Sequence, residues 1–296
     1  MDVNIEPGRY VVAVSGGVDS MVLLDILKDL PDLQLVVAHF DHGIRKESAL
    51  DRRFVQQTAA EYDLQFVYDE GRLGLNAGEA AARQARYDFL HKVRLAANAE
   101  AIITAHHQDD MLETAIINML RGTGRRGMTS LADTDDVRRP LLHLSKQQIK
   151  AYAEEKGLSW CEDSTNQDIK YLRNYVRHKI LPRFSPADRQ RFLEHIETLR
   201  SLNQDIDHAL INHLHIHPAK DVLDRHWFIM LPHAVARDTM ASWLRLRGAG
   251  NDVSKKLLEK LVVAAKTFQP GKQTDVDNKY VLKVSKAHLA LVARDR

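Results

Sequence analysis

Cysteine is nearly missing from this chain. Cys161 is the only one in 296 residues, so no internal disulfide can form, and no multi-cysteine zinc or iron–sulfur centre can be built. Long hydrophobic runs are missing too. Stretches such as Tyr10–Val14 and Leu35–Ala38 fall far short of a bilayer span. The opening MDVNIEPGRY carries neither the basic nor the apolar region of a secretory signal, so the cytoplasm is the expected compartment, with no membrane partner. Charge of one sign is equally scarce. A formal net charge of +2 is too weak a bias to argue for nucleic acid by itself. What remains is an ordinary globular composition, 44% hydrophobic and 28% charged, in a length that suits one large domain and a smaller one.

The positive charge is unevenly spread. Arg121, Arg125, Arg126, Arg138 and Arg139 lie close in sequence, as do Lys170, Arg173, Arg177, Lys179 and Arg183. Either cluster alone is equally well a solvated surface.

Near-continuous apolar runs at Tyr10–Val14, Gln34–His39, Gln65–Tyr68 and Ala101–Ala105 read as strands covered on both faces. Helical patterns fill the gaps at Asp19–Asp29, Ser48–Tyr62, Gly78–Asn98 and Asp109–Arg121. This alternation predicts an α/β fold with a doubly wound, mostly parallel sheet, and ligands outside the carboxyl ends of its strands. A long polar helix over 187–211 follows. Further helices are expected at Ala234–Leu246 and Ser254–Ala265, and YVLKVSKAHLALV alternates as a hairpin does. The expected division is 1–184 for the α/β domain, 185–213 for a helical linker and 214–296 for a small α+β domain.

Every chemical motif begins where a predicted strand ends. Ser15-Gly16-Gly17-Val18-Asp19-Ser20 follows the first strand and opens the first helix. Two glycines allow a tight turn that brings N–H groups to an anion, and the helix N-terminus adds oriented donors. The plain alternative is a strand-to-helix turn capped by Asp19 or Ser20. Gly122–Thr129 nearly fits a Walker loop, but it has Met128 at the lysine position and follows a helix, so it is rejected as a nucleotide site. The second strand ends in His39-Phe40-Asp41-His42-Gly43, which suits either the edge of an adenosine pocket or a His/Asp metal site. The fourth ends in Thr104-Ala105-His106-His107-Gln108-Asp109-Asp110, where Asp110 and Glu113 would share a helix face. Paired carboxylates there suit Mg²⁺ or a cationic amine; alternatively, Asp109 is an N-cap and Glu113 an exposed charge. Arg83, Arg86 and Arg94 project from the helix between. An arginine at the rim suits charge developing on a transferring group, although taken singly each reads as a surface salt bridge.

Together these residues resemble the PP-loop ATP pyrophosphatase superfamily and, within it, the tRNA(Ile)-lysidine synthetase family. SGGVDS, HFDHGIR, GEAAARQARYDFL, TAHHQDDMLET, MLRGTG, RRPLL and WCEDSTNQD with YLRNYVR carry the resemblance, in that order over residues 8–184. It implies ATP as substrate with Mg²⁺, and a tRNA(Ile) with a CAU anticodon and L-lysine as partners. The C2 oxygen of the wobble cytidine would attack the α-phosphate, and the amine of lysine would then displace AMP to give lysidine. Ser15, Gly16, Gly17, Val18, Asp19 and Ser20 would hold the phosphates, with His39 against the nucleotide. Asp19 would act with the metal. Arg86, His106, Asp110 and Glu113 would serve the adenylation and lysine steps. Arg121, Arg125, Arg173 and Arg177 would touch RNA phosphates. The 214–296 segment is short for this family and would bind tRNA; a homodimer stays open. The rivals are a PP-loop enzyme of tRNA thiolation or small-molecule amidation, a metal-dependent phosphoesterase built on His39, Asp41, His42, His106, Asp109 and Asp110, and a non-catalytic RNA-binding protein.

Overall fold

In the computed structural model, which describes all residues except 2, 42–47, 72–78, 163–168, 213–215, 218–221, 250–253 and 295–296, the predicted apolar runs become strands. They are β1 (Gly8–Ala13), β2 (Leu33–Asp41), β3 (Gln65–Glu70) and β4 (Ala101–Ile103), joined by a two-residue β5 (Val137–Arg138). All pair in parallel, in the order β3-β2-β1-β4-β5. Parallel neighbours need crossovers, and α1 (Val18–Lys28), α2 (Ser48–Glu61), α3 (Glu79–Ala96) and α4 (Gln108–Leu120) lie on them.

Side chains alternate between the two faces of a strand, and both faces are buried. Val12, Val37 and Ile103 join one core with residues of α1, α2 and α6 (Lys146–Glu155), the last following a single turn α5 (Arg125–Met128). Val11, Val36 and Ile102 join the other, with Phe89, Leu90 and Val93 of α3. A third apolar cluster seats α4 against Val176 and Leu181. These belong to a segment in which α7 (Leu172–Tyr175) runs into a π-helical turn, Val176–Ile180, and a 3₁₀ turn, Leu181–Arg183. From β1 the chain moves to β2 on one side and later returns to β4 on the other. The strand order therefore reverses between β1 and β4, the place where open parallel sheets bind ligands.

By its internal contacts the chain divides into two units, Met1–Glu197 and Thr198–Arg296. The cut falls inside α8 (Pro186–Asn212), the long helix expected over 187–211. The second unit is α+β, as expected. An antiparallel sheet has the order β6-β7-β10-β9-β8, from β6 (Ile216–His217), β7 (Val222–Asp224), β8 (Gln273–Asp275), β9 (Tyr280–Val284) and β10 (His288–Ala293). β9 and β10 form the antiparallel pair read from YVLKVSKAHLALV. Trp243 and Met240 of α10 (His233–Leu246), Phe228 of α9 (Arg225–Met230) and Leu261 of α11 (Lys255–Thr267) make its core. Among the described residues no helix is long and apolar enough to cross a membrane.

Candidate active site

The loop after β1 is shaped to leave donors open. Gly16 has φ +91, a conformation that a residue with a Cβ adopts only under strain. Gly17, not Asp19 or Ser20, is the N-cap of α1, and no side chain caps it. The first N–H groups of α1 therefore keep their capacity for an anion. Ser20 is a staple within the loop. Its buried hydroxyl donates to the Gly17 carbonyl at 2.9 Å and accepts from the Ser15 N–H at 3.2 Å. Ser15 is exposed, so of the two hydroxyls it is the one offered outward. Val18 is buried and anchors the helix start. From the other side the Cys161 N–H donates to the Gly16 carbonyl at 2.9 Å, so the WC segment of the last motif lies against this loop. Asp163–Asp168 of that motif, Gly78 at the start of the third, and His42, Gly43, Ile44 and Arg45 of HFDHGIR lie outside the described residues.

The loop after β4 comes out beside it, because Val12 pairs with Ile103. Here α4 begins at Gln108 and its cap is His107, one of the histidines the sequence reading did not select. The His107 ring accepts from the Asp109 N–H at 3.2 Å, while Asp110 accepts from the His107 N–H at 3.1 Å, a reciprocal capping box. Asp109 is thus no N-cap; it meets Arg189 at 3.2 Å. Nor is Glu113 an exposed charge, since its exposure is 0%.

From these two loops a chain of alternating charges crosses the switch point. Lys146, the first residue of α6, places Nζ 2.6 and 2.7 Å from the two oxygens of Asp19. His107 Nε2 lies 3.7 Å from Asp19 and 3.5 Å from Asp110. Arg177, on the π-helical turn, reaches Asp110 at 3.6 Å and grips Glu113 with Nε at 2.6 Å and Nη2 at 2.9 Å. Arg173 closes the series 3.4 Å from Glu113 and donates to Thr114 at 3.0 Å. Arg173 and Arg177, expected among the RNA contacts, therefore point their guanidinium groups at the carboxylate end of the site.

The surroundings set the charge of each member. Burial opposes ionisation of Asp19, but the His107 ring and the Lys146 ammonium outweigh it and hold its carboxyl at about 2. Burial also disfavours the charged form of His107, yet the facing carboxylates Asp19 and Asp110 push it up. Asp110 is held down against its burial by the two histidines and Arg173. At Glu113 burial wins over Arg177, and the carboxyl is pushed up. These four groups answer to different forces although they are neighbours.

Arg86 and His106 join the same region. Asp110 and Arg173 both act on Arg86, whose burial pulls its guanidinium down. Among the described residues Arg86 makes no ion pair, only a cation–π approach to Tyr87 at 5.6 Å. His106 binds Thr104 Oγ1 through Nδ1 at 2.8 Å, and burial together with Arg139, Arg86 and Arg83 drives it down to about 3. His39 stands apart from the charged chain. It is buried, with Nδ1 2.9 Å from the Val14 carbonyl just before the phosphate loop. Of the residues of the phosphoesterase reading, His42 lies outside the described residues. Among the described residues no group of three or more His, Cys, Asp or Glu is placed to hold a metal ion.

Lys146 and His107 were missed by sequence reasoning. RRPLL stands out as a motif, yet nothing in its spacing says that a lysine six residues beyond Pro140 starts a helix against Asp19. His107 carried a clearer signal. It precedes Asp110 by three residues, the interval of a capping box.

The PP-loop domain family matches residues 3–184, which contain every residue placed in the site above except Arg189. A tRNA(Ile)-lysidine synthase of Thermotoga sp. (strain RQ2) is 39% identical over 189 residues, 60% of this chain and 46% of the relative. One from Geobacter sulfurreducens is 38% identical over 239 residues, 74% of this chain and 48% of the relative. The chain thus spans about half the length of the curated relatives it matches. Among solved structures, the U34-tRNA thiolase NcsA of Methanococcus maripaludis superposes with a TM-score of 0.51 at 16% identity, covering 66% of this chain and 73% of that one. That likeness speaks for the fold.

Proposed function

The chain belongs to the PP-loop domain family, and from that premise we propose that it joins L-lysine to C2 of the wobble cytidine in the CAU anticodon of a tRNA(Ile), consuming ATP. The observation that carries this reading is the chain of charges linking an uncapped phosphate loop to the carboxylate pair of Asp110 and the buried Glu113. One end suits a triphosphate and the other an ammonium, as a ligation of amine to adenylated base requires.

Two steps follow. The C2 oxygen of cytidine attacks the α-phosphorus and pyrophosphate leaves, held by Ser15, Gly16, Gly17, Val18 and the N–H groups at the start of α1. Among the described residues Arg86 pairs with no carboxylate, which suits it to phosphate oxygens gaining charge. His39 fixes the end of β1 and lines the nucleotide side. Lys146 releases Asp19 and turns to the phosphates. Asp19, ionised at the mouth of the loop, is the carboxylate that fits Mg²⁺ once the lysine has left it, because Mg²⁺ takes most of its ligands from phosphate and water. When bound, the metal neutralises phosphate charge. In the second step the amine of lysine forms the C2–N bond, the C2–O bond breaks, and AMP departs. Asp110 orients the ammonium, while Glu113, pushed up by burial, is the better acceptor for the proton the amine must lose.

The tRNA reading draws further support from the surface beside Arg173 and Arg177. Tyr171 and Tyr175, one helical turn apart, are 55% and 46% exposed, and bases unstacked for chemistry need such aromatic faces. Residues 214–296 are proposed to hold the tRNA body. Purified protein incubated with ATP, Mg²⁺, labelled L-lysine and a CAU-anticodon tRNA(Ile) transcript tests the whole. Label should enter the RNA, and should fail to enter without ATP or when uridine replaces the wobble cytidine. Pyrophosphate release with no lysine in the RNA would keep adenylation and overturn the choice of nucleophile.

A further inference from the structure

We propose that Thr104 fixes His106 as a neutral imidazole with its proton on Nε2, so that His106 donates a hydrogen bond to a substrate oxygen and is not the base that deprotonates the amine. This assigns a role within the site just described and rests on that functional reading.

Thr104 is buried at the carboxyl end of β4, and its backbone N–H is tied to the Arg138 carbonyl at 3.0 Å. Its hydroxyl lies 2.8 Å from His106 Nδ1. Among the described residues nothing else binds that hydroxyl or the ring nitrogens of His106. Only two arrangements are open to a hydroxyl and a neutral imidazole. If the hydroxyl donates to Nδ1, both groups are satisfied and the ring proton sits on Nε2. If Nδ1–H donates to Oγ1, the hydroxyl proton is left buried with no acceptor, at the full desolvation cost of an unmade bond. The first arrangement wins.

The ring also stays uncharged. Burial drives His106 down, three arginines (Arg139, Arg86 and Arg83) add to that, and the single opposing carboxylate, Asp110, does not reverse it. A neutral ring whose Nδ1 lone pair is taken by Thr104 has no basic nitrogen left to offer. What it presents is one fixed N–H dipole, in a region where an oxygen gains negative charge. As the C2–N bond forms and C2–O breaks, the bonding pair passes to the adenylate oxygen, and the amine proton goes to a carboxylate. An N–H group aimed at that oxygen lowers the barrier without itself changing charge.

¹⁵N spectra of the full-length protein, with the His106 ring assigned through a His106→Gln sample, read the tautomer directly and need no substrate. A protonated Nε2 with an unprotonated, hydrogen-bonded Nδ1 is expected; the reverse tautomer overturns the proposal whatever the enzyme ligates. In lysine incorporation, Thr104→Val should lower kcat about tenfold, a fraction of the hundredfold typical of losing such a donor outright, with KM for ATP and lysine unchanged. Thr104→Ser should restore it. His106→Gln, which can present an amide N–H near the place of Nε2, should retain more activity than His106→Asn. Equal loss in both, or a Thr104→Val enzyme as fast as the parent, would contradict the assignment. A parent enzyme that never incorporates lysine would count against the functional reading instead.

Discussion

Each unit of the molecule draws arginine inward, fully in one and partly in the other, and the two do so to opposite ends. In the C-terminal unit Arg225 is 6% exposed, and three of its nitrogens donate to the carbonyls of Ala265, Ser285 and Phe268, at 2.9, 2.8 and 2.6 Å. Each nitrogen of its fork is engaged by main chain, which ties α11 to the turns beside β10 and leaves little for a ligand. In the N-terminal unit Arg177 and Arg173 face carboxylates of differing charge tendency, and among the described residues Arg86 has none as a direct partner. Burial alone does not mark a functional cation. An arginine closed on backbone is a rivet, whereas one among titratable groups, with capacity unspent, is a candidate for chemistry.

Variants at Arg177 and Arg225 put this contrast at most risk. Arg177→Met strips the cation from a carboxylate with no exposure, so a stability loss of about 3–5 kcal/mol is expected, read from urea unfolding, together with loss of lysine incorporation. Arg225→Met should also destabilise, since three carbonyls lose their donor. Pyrophosphate release per folded molecule should nevertheless stay at the parental value. If Arg225→Met abolished that release while the protein stayed folded, the distinction between rivet and reactive group would be wrong.

Asp19→Asn comes next. It frees Lys146 and removes the loop's carboxylate, and a loss of about a hundredfold in ATP-dependent pyrophosphate release is expected, the scale of losing one electrostatic contributor. Stability should move far less than in Arg177→Met. A smaller effect is expected from Gly16→Ala, where φ +91 puts the strain of a Cβ at about 1–2 kcal/mol. ATP affinity, measured by calorimetry, should fall with it.

Acid supplies the gentlest test. The folded value of His106, about 3, lies below its ordinary 6.5. Its unfolded form therefore binds a proton first, and stability should decline as pH falls from 6.5 towards 3. His107 has the opposite sign: its folded value is raised, so its contribution is complete below 6.5 and fades as pH rises through the folded value. Replacing His106 by Gln should flatten the acid side of the stability profile, and an unchanged slope would refute the burial argument.

How much of this was written in the sequence depends on distance along the chain. β1 to β4, α1 to α4 and the long α8 each followed from an apolar run or a helical period, and their ends fell within a few residues of expectation. β5 was missed because two residues carry no period. α6 was missed because its buried apolar positions, Ile149 and Ala153, are few, although Ser145 and Gln148 form a capping box. In the site, what adjoins in sequence was legible: the glycines of the loop, and the i, i+3 relation of Asp110 and Glu113. What the fold brings from afar was not. The pair of Lys146 with Asp19 spans 127 positions, and that of Arg177 with Glu113 spans 64. No local pattern reports that Arg177 turns inward to a buried carboxylate.

The central claim is that one site holds two separable halves, a phosphate loop governed by Asp19 and an amine pocket governed by Asp110 and Glu113. ATP labelled at its α-phosphate, mixed with CAU-anticodon tRNA(Ile) and no lysine, tests it most directly. Labelled AMP should accumulate on the RNA with the parent enzyme and with Asp110→Asn, should be discharged by added lysine only in the parent, and should be absent with Asp19→Asn. RNA that never acquires label, or an Asp110→Asn enzyme as deficient in labelling as Asp19→Asn, would contradict the two-half account.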